Sequence, residues 1–316
     1  IDRDQLTLTH SWEIKETSSI NHTMRKASYI RQYKVKNNDG QIEKNDITQE
    51  NNTEYEILFN HHVKNITLNG GLEFSNPQYK SDRINGGEQK KDIIGIFNQA
   101  AWSLLPGLEI VSGIRLDKYG DTTVVSPRLA LAYKHNDHWT YRTAYGHGFR
   151  APSFMESLID WDHIQFGYTV KGNPNLKPEI SRGLTLGAEY RNKNNFQTSA
   201  LIYHNSFSNL IKDYALESGI LSYQNIEKAY FTGLELITKW TITSSFSSSF
   251  TINYVKNEDG AGEKIPNTMP ISIGGRISYS PGIQKVLFAL NLKGVGEYFP
   301  QEFDPVSGDY LSSSDP

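Results

Sequence analysis

Apolar and polar residues alternate with a period of two along most of the chain. Residues 6–14, 108–117, 246–254 and 271–279 place apolar side chains at every second position, with polar or small residues between them. Such alternation assigns one set of side chains to each face of a β-strand. Because no segment repeats its apolar residues with a convincing helical period, the pattern predicts an all-β fold.

Turn-forming residues divide the alternating segments into about fourteen predicted strands. These lie near residues 4–14, 20–37, 52–63, 66–77, 90–104, 107–118, 125–135, 138–149, 178–191, 195–215, 220–241, 245–257, 267–281 and 284–297. Short turns are expected at 63–66, 105–107, 135–137, 192–194 and 280–282, and longer polar loops near 37–53, 76–91, 149–178, 256–267 and from 298 onward. Antiparallel strands with short turns on one side and long loops on the other are typical of an outer-membrane β-barrel, whose turns are periplasmic and whose loops are extracellular.

Aromatic residues flank two of these short turns and also the turn between the strands near 220–241 and 245–257, and they share the apolar phase of their strands: Tyr133 and Trp139, Tyr190 and Phe196, and Trp240 and Phe246. Amphipathic rings settle at the membrane–water boundary, so these positions predict a lipid-facing girdle. The opposite phase carries residues that suit a polar lumen and not lipid, namely Glu109, Arg115, Arg142, Glu189, Glu235, Lys239, Asn253 and Arg276. A soluble sandwich would have to bury a ring beside each tight turn, so we predict a transmembrane barrel.

Composition and charge exclude several classes of protein. The 32 lysines and arginines nearly balance the 35 aspartates and glutamates without a basic block, so we expect no nucleic-acid partner. No stretch approaches the roughly 18 consecutive apolar residues of a membrane-spanning helix. Without cysteine, the chain forms no disulfide and no thiolate metal site. Serine, histidine and acidic residues are scattered over separate segments, so we expect no catalytic residues and no enzyme.

Two motifs bound the longest clear loop. Residues 145–153 read Tyr-Gly-His-Gly-Phe-Arg-Ala-Pro-Ser, and residues 171–179 read Lys-Gly-Asn-Pro-Asn-Leu-Lys-Pro-Glu. Glycines followed by Pro152 end a strand and start a loop, and the later prolines form turns before the next strand. Both stretches closely resemble the paired signatures of the TonB-dependent outer-membrane receptors, and the similarity extends to residues 113–117, 126–130 and 233–236.

The resemblance implies a fold, a location and partners. Receptors of this family are barrels of about 22 strands with a plugged lumen. They lie in the bacterial outer membrane, in contact with its lipid and lipopolysaccharide, and import scarce metal-containing nutrients. The energy comes from the TonB–ExbB–ExbD complex acting on the plug. A surface lipoprotein that delivers the ligand is a further partner that the resemblance suggests.

The chain departs from the family pattern at both ends. We find no N-terminal plug, no TonB box and no export signal, and residues 310–316 lack the last strands and the terminal aromatic residue. Residues 1–316 are therefore expected to be a single barrel domain, incomplete at both ends, with about fourteen of the 22 strands. Its two edges would lack partners, so we expect no transport by this chain alone.

The haem-uptake branch of the family resembles this sequence in one further respect. Its receptors carry two boxes, here Phe149-Arg150-Ala151-Pro152 and Asn173-Pro174-Asn175-Leu176, with a haem-binding histidine between them. The resemblance makes His163 the expected ligand of haem iron, since neutral imidazole binds that iron well. The other expected ligand-binding residues are Trp161 and Phe166, which would stack on the porphyrin, Tyr168, which offers a phenolate, and His147 near the vestibule. No cofactor of the protein's own is expected; haem, or another iron or cobalt complex, would be the transported ligand.

Other interpretations stay open. If the boxes are general to the family, His163 is simply a polar loop residue. A cobalamin receptor would have the same barrel, and its acidic loop 117–121 would hold calcium. A ferric-siderophore receptor would grip an anionic chelate with loop aromatics and arginines. From a different class, a porin-like diffusion barrel has no counterpart to the paired boxes or to the large loop 149–178.

Overall fold

A computed structural model describes residues 1–36, 39–163, 167–282, 286–297, 300–304 and 309–312. Fourteen strands form a wall: β1 (Asp2–Lys15), β2 (Ser18–Lys36), β3 (Ile42–Val63), β4 (Ile66–Ser81), β6 (Ile93–Leu105), β7 (Leu108–Tyr119), β8 (Thr122–Lys134), β9 (Trp139–Arg150), β12 (Glu179–Arg191), β13 (Phe196–Glu217), β14 (Ile220–Thr243), β15 (Phe246–Asp259), β16 (Ile271–Tyr279) and β17 (Phe288–Val295). Shorter elements lie in the connections: β5 (Glu88–Lys90), α1 (Phe154–Leu158), β10 (Asp160–His163), β11 (Tyr168–Lys171), β18 (Gln301–Asp304) and β19 (Asp309–Ser312).

Each wall strand pairs antiparallel with the next wall strand along the chain. β5 pairs with the outer end of β4, and β18 and β19 form a separate hairpin. Among the described residues, β1 and β17 each pair with a single neighbour. The prediction of an all-β, antiparallel partial barrel with about fourteen wall strands is confirmed.

The largest difference from the predicted boundaries is at β3, which begins at Ile42 and not near residue 52. Its first ten residues pair with the end of β2, from Lys36 opposite Ile42 to Asn51 opposite Ser28. Residues 42–51 carry no apolar–polar alternation because this part of the hairpin extends beyond the lipid. One face meets water, and on the other face Asp46 and Thr48 are buried against polar partners. Backbone pairing therefore continues where the side-chain pattern stops.

The two faces of the wall differ as a membrane barrel requires. One face exposes large apolar side chains, including Leu184 and Leu186 on β12, Ile202 on β13 and Leu234 on β14. At the short turns of this outward face the predicted aromatic residues form a continuous row: the ring centroids are 4.9 Å apart for Trp139 and Tyr190, 6.3 Å for Tyr190 and Phe196, and 6.0 Å for Phe196 and Trp240.

The opposite face lines the lumen, and its charges are paired. Arg142 on β9 contacts Glu189 on β12 at 2.8 Å, and Arg115 on β7 contacts Glu73 on β4 at 2.7 Å. Paired charges of this kind suit the polar interior of a membrane barrel. In the described part of the chain, no helix is long and apolar enough to cross a membrane.

The five-residue helix α1 was not predicted, because it is too short to show a helical period. Ser153 caps it: the Ser153 hydroxyl accepts from the Glu156 backbone N–H at 3.1 Å, and the Glu156 carboxylate accepts from the Ser153 backbone N–H at 2.8 Å. This reciprocal capping box satisfies two N–H groups at the start of the helix. The helix places the Glu156 carboxylate within hydrogen-bond distance of Arg150 in the first motif.

Candidate functional site

The long connection between β9 and β12, residues 151–178, is here called the strap. It contains α1 and the β10–β11 hairpin. On one side Ile159 forms an isolated β-bridge with Ile84, which follows β4. On the other side β11 pairs in parallel with the outer end of β14, with Val170 opposite Leu221. The strap therefore contacts the wall on both sides of β9 and β12, the strands that it connects: next to β4 on one side and at β14 on the other.

The strap lies on the concave, lumen side of the wall. Phe154 stacks on Tyr79 with the ring centroids 5.8 Å apart, and the Pro152 carbonyl accepts from the Tyr119 hydroxyl at 3.2 Å. Tyr79 and Tyr119 share the strand phase of Glu73 and Asp117, which is the lumen-facing phase. Because the contacts on both sides are on this face, the strap crosses the extracellular mouth of the wall.

The near end of the strap is held by a group that we call the clamp: Arg150, Glu156 and Glu179. The Arg150 guanidinium donates two hydrogen bonds to Glu179, at 2.7 and 2.8 Å, and two to Glu156, both at 2.9 Å. Glu179 also accepts from the Ile211 backbone N–H at 2.8 Å. The arginine of the first motif thus joins the start of the strap to its end and to β13.

The clamp sets the ionisation of Glu156. Burial is the largest single influence and raises the pKa of this carboxyl, but the hydrogen bonds from Arg150 and Ser153 together outweigh it. The pKa of Glu156 therefore lies below its ordinary value, and the group is a carboxylate at neutral pH.

The second motif is held by backbone hydrogen bonds. Asn173 donates from its backbone N–H to the Glu156 carbonyl and from its side chain to the Tyr223 carbonyl, both at 2.9 Å. Asn225 on β14 grips Lys177: its side-chain oxygen accepts from the Lys177 N–H at 2.8 Å and its amide donates to the Lys177 carbonyl at 2.9 Å. The box residues thus fasten the strap to the β13–β14 hairpin.

The far side of the strap is held by a second group, which we call the latch: Asp46, Arg83 and Trp161. One carboxylate oxygen of Asp46 accepts from Arg83 Nε and from Trp161 Nε1, both at 3.0 Å. The buried Arg83 guanidinium lies 4.2 Å from the Trp161 ring centroid and 4.6 Å from that of Tyr33. Planar stacking of this kind suits a guanidinium, which is less strongly hydrated than an ammonium.

Three of the predicted haem-binding residues lie together in the β10–β11 hairpin. His163 is directly opposite Tyr168, with the ring centroids 5.2 Å apart, and it lies edge-on to Trp161 at 4.4 Å. Burial raises the pKa of the Tyr168 hydroxyl, which favours the phenol over the phenolate. Phe166, the fourth aromatic candidate, lies outside the described residues. Haem ligation by His163 stays a prediction.

His147 is placed apart from this hairpin. It lies on β9 in the outward phase of Trp139 and Tyr145, opposite to that of Arg150. Its Nε2 is 2.8 Å from the Tyr145 hydroxyl, and its strand partner on β12 is Arg182. A role of His147 in ligand binding also stays a prediction.

The remaining motif residues border the strap. Phe149 pairs with Ile180 on the outward phase, and Ala151 and Asn175 lie in the turns at the two ends of the strap. Pro152, Pro174 and Leu176 line a cleft of about 830 Å³ at the extracellular rim. We call this the rim cleft; its charged lining residues are Lys90, Lys91, Asp92, Lys118 and Asp121.

Lys91 is the cation of the rim cleft with the closest aromatic contacts. Its ammonium lies 4.8 Å from the ring centroid of Tyr119 and 4.9 Å from that of Phe154, and it hydrogen-bonds the Tyr119 hydroxyl. Burial lowers the pKa of Lys91. An ammonium beside two rings at the mouth combines charge with stacking surface.

A metal site built from protein side chains is not present in the described part of the chain, where no three His, Asp or Glu residues are grouped to hold an ion. Asp117, which the cobalamin interpretation assigned to calcium, is buried and ion-paired with Arg115 at 2.7 Å.

Comparison with known proteins decides the family. The family model described as the β-barrel of TonB-dependent receptor-like proteins matches residues 1–314. The chain belongs to the TonB-dependent receptors. The resemblance carried by the two motifs is confirmed, as is the outer-membrane location. The family is one of transport receptors and not of enzymes.

An iron-regulated outer membrane virulence protein of Vibrio cholerae serotype O1 is 29% identical over 181 residues, which are 52% of this chain and 28% of that protein. Among solved structures, a mutant of the ferric enterobactin receptor of Pseudomonas aeruginosa has a TM-score of 0.78 at 17% identity, covering 99% of this chain and 51% of its own. The FrpB iron transporter of Neisseria meningitidis has a TM-score of 0.74 at 11% identity, covering 94% of this chain and 51% of its own. This TonB-dependent receptor chain thus spans about half the length of the solved chains that share its fold.

Sequence reasoning missed five residues that hold the strap: Asp46, Glu156, Glu179, Arg83 and Asn225. Two of them had a signal, since Ser153 and Glu156 have the spacing of a capping box and Glu179 is the last residue of the second motif, to which no contact was assigned. Asp46, Arg83 and Asn225 had none, because each lies in a polar segment without a recognisable motif.

Proposed function

We propose that this chain forms the wall and mouth of a receptor that binds a ferric siderophore and imports it. The observation that carries the proposal is the rim cleft, which three lysines, two aspartates and Tyr119 line beside the strap. The Lys91 ammonium at this cleft lies against the rings of Tyr119 and Phe154. Ferric siderophores are anionic chelates, so cations combined with stacking surface suit them. The iron-regulated relative and the solved ferric enterobactin receptor support an iron ligand.

Haem is the second candidate, because His163 and Tyr168 lie side by side between the two boxes. It is less well supported, since the neighbouring Trp161 is already engaged by Asp46 and Arg83 and so serves to fasten the strap. Cobalamin is the least supported of the three, because the names of the relatives point to iron and Asp117 is ion-paired.

Equilibrium binding of each candidate ligand to the purified receptor distinguishes a ferric siderophore from haem and from cobalamin. Tryptophan fluorescence would be titrated with a ferric tris-catecholate, a ferric hydroxamate, hemin and cobalamin. We expect saturable binding of a ferric siderophore that Lys91→Gln weakens about fivefold, which corresponds to one cation–π or charge contact of about 1 kcal/mol. Lys193→Gln, in the turn between β12 and β13, is the matched control and should bind as the unaltered receptor does.

Two outcomes would contradict the proposal. If only hemin binds, with a Soret shift that His163→Ala abolishes, the receptor takes up haem. If a siderophore binds but Lys91→Gln and Lys118→Gln leave its affinity unchanged, the ligand contacts lie elsewhere in the mouth.

We propose the partners that belong to such a receptor. Uptake would depend on TonB with ExbB and ExbD, since the outer membrane has no energy source of its own, and a surface lipoprotein that delivers ligand would matter chiefly for haem. Growth on the ferric chelate as the only iron source should stop when TonB is deleted while binding to whole cells is unchanged. Uptake that continues without TonB would instead favour passive diffusion.

A further inference from the structure

The extracellular rim of the wall is low at the β7–β8 hairpin. β7 and β8 have 12 and 13 residues, with Gly120 and Asp121 as the turn between them. The β2–β3 hairpin has strands of 19 and 22 residues, and the β13–β14 hairpin has strands of 22 and 24. All of these strands begin or end at short periplasmic turns. At about 3.3 Å a residue and a tilt of about 40°, the roughly ten extra residues raise the tall hairpins about 25 Å above the low one.

The strap spans the gap between the two tall hairpins. On one side Trp161 of the strap donates to Asp46 on β3 at 3.0 Å, and on the other side β11 pairs in parallel with β14. Both contacts lie near the tips of the tall strands, because Asp46 is the fifth residue of β3 and Leu221 is the second residue of β14. The strap therefore forms an arch that is supported by the tall hairpins and passes above the low one.

The rim cleft lies in the space between this arch and the low hairpin. Its lining residues come from the β7–β8 turn, including Asp121, and from the strap, including Leu158 and Leu176. Its volume of about 830 Å³ is in the range of sites that hold a small ligand. The cleft is therefore an opening of ligand size at a low section of the rim.

The cleft reaches across the rim from the outer surface to the lumen. Tyr119 has the lumen-facing phase of β7, whereas the neighbouring Lys118 has the outward phase, and both line the cleft. Ile94, which also lines it, has the outward phase of β6 and is 51% exposed. Residues from both faces of the wall thus border one continuous space, which is open to the outside solution and extends beneath the strap.

The strap, in contrast, is fastened at several points. Lifting it would break the two hydrogen bonds from Arg150 to Glu156 and the pairing of β11 with β14. It would also separate the Trp161 ring from Arg83, whose side chain is 8% exposed. A ligand that opened the strap would have to supply the free energy of all these contacts. Passage through the rim cleft breaks none of them.

We propose that the rim cleft is a side entrance, through which the ligand passes beneath the strap into the lumen while the strap stays fastened. The inference rests on the proposed function, because it gives the route of the same anionic chelate. Lys90, Lys91 and Lys118 border the entrance and attract an anion to it. The strap then acts as a fixed roof, and the clamp and the latch keep the size of the entrance constant.

Disulfide locks on the strap test the proposal in cells that produce the complete receptor. Ile84→Cys with Ile159→Cys would join the strap to the segment after β4, and Val170→Cys with Leu221→Cys would join it to β14. Directly opposed strand residues have Cα atoms about 4.5–5.5 Å apart, which a disulfide spans, and the chain has no other cysteine. We expect cells to import a ferric tris-catecholate at the same rate whether the locks are oxidised or reduced.

A blocked cleft gives the complementary measurement. Asp121→Cys, labelled in intact cells with a large polyethylene-glycol maleimide, should lose import, whereas the unlabelled variant should import as the unaltered receptor does. Ser218→Cys with the same label is the matched control, because it places equal bulk on the exposed tip of the tall β13–β14 hairpin. This control should leave import unchanged.

Two results would overturn the side entrance alone. Oxidised locks that stop import of a siderophore which the receptor still binds would show that the strap is a lid. Unchanged import with the large label at residue 121 would show that the ligand enters elsewhere. The reduced form of each lock is its folding control, and if one pair fails to import when reduced, the other pair decides. The proposed function fails differently: the unaltered receptor would bind no ferric siderophore, and the side entrance would fall with it.

Discussion

The clamp and the latch hold two parts of the same strap, each with an arginine, but in opposite surroundings. In the clamp, the Arg150 side chain is 47% exposed and makes four hydrogen bonds to two carboxylates. In the latch, the Arg83 side chain is 8% exposed, bonds a single carboxylate and lies against two aromatic rings. The exposed arginine has ample partners, and the buried one has few.

The difference shows that the residues of a recognisable motif need not be those whose substitution destabilises the strap most. In the clamp, water reaches the guanidinium and screens its ion pairs in part, although Glu156 and Glu179 are only 17% and 9% exposed. The paired N–H···O bonds fix the orientation of the groups. Removing one member of a buried pair instead leaves an uncompensated charge in a dry site, which costs several times more. We therefore expect the strap to tolerate changes in the clamp better than changes in the latch.

The largest effect is expected from Asp46→Ala in the latch. Arg83 would keep its buried position without its carboxylate, so the closed strap should lose about 3 kcal/mol or more relative to an opened one. Hydrogen exchange by mass spectrometry should show faster exchange in residues 154–163 while the wall strands stay protected. Asp137→Asn, which removes an acid from an exposed turn, is the control, and equal exchange in the two variants would refute a role for the latch.

A smaller effect is expected from Glu179→Gln in the clamp. The amide cannot accept both Arg150 bonds as a carboxylate does, and the Ile211 N–H keeps a weaker acceptor, so we expect a loss of about 2 kcal/mol. Exchange should rise near residues 150–156 and around 211, not at residues 158–163. If the far side of the strap opens just as much, the clamp and the latch are one cooperative unit and the comparison fails.

Trp161→Phe should have a lesser effect than either. The ring that stacks on Arg83 is largely kept, and only the N–H donated to Asp46 is lost, at about 1 kcal/mol. Trp161→Ala removes both, so the ratio of the two exchange rates separates the stacking from the hydrogen bond. Identical behaviour of the two variants would show that the ring contributes nothing to the latch.

The smallest effect is the pH dependence of α1. Because the pKa of Glu156 in the folded strap lies below its ordinary value near 4.5, its contribution to stability is fully present above that value. The contribution is lost as the pH falls further, through the lowered pKa. Exchange of residues 153–158, corrected for the intrinsic pH dependence, should increase below about pH 4.5 in the unaltered receptor and not in Glu156→Gln.

The wall could be predicted from the sequence because its signal is local. Each strand meets lipid on one face and a polar lumen on the other, so alternation, short turns and boundary aromatics such as Trp139 and Trp240 are all written within single strands. The motifs at the two ends of the strap were visible for the same reason. Beyond the lipid, as at residues 42–51, neither face of the strand needs apolar side chains. The alternation is absent there, so the predicted strand began near residue 52 and not at Ile42.

The amino-acid sequence by itself thus determined the strands, the family and the loop that the two motifs bound. Only the tertiary structure decided how that loop is held. Arg83 lies 37 positions from Asp46, and Trp161 lies 115 positions from it. These polar residues become a latch only when β3, β4 and the strap meet at the mouth, since a buried charge is stabilised by partners that folding brings together and that no local pattern records.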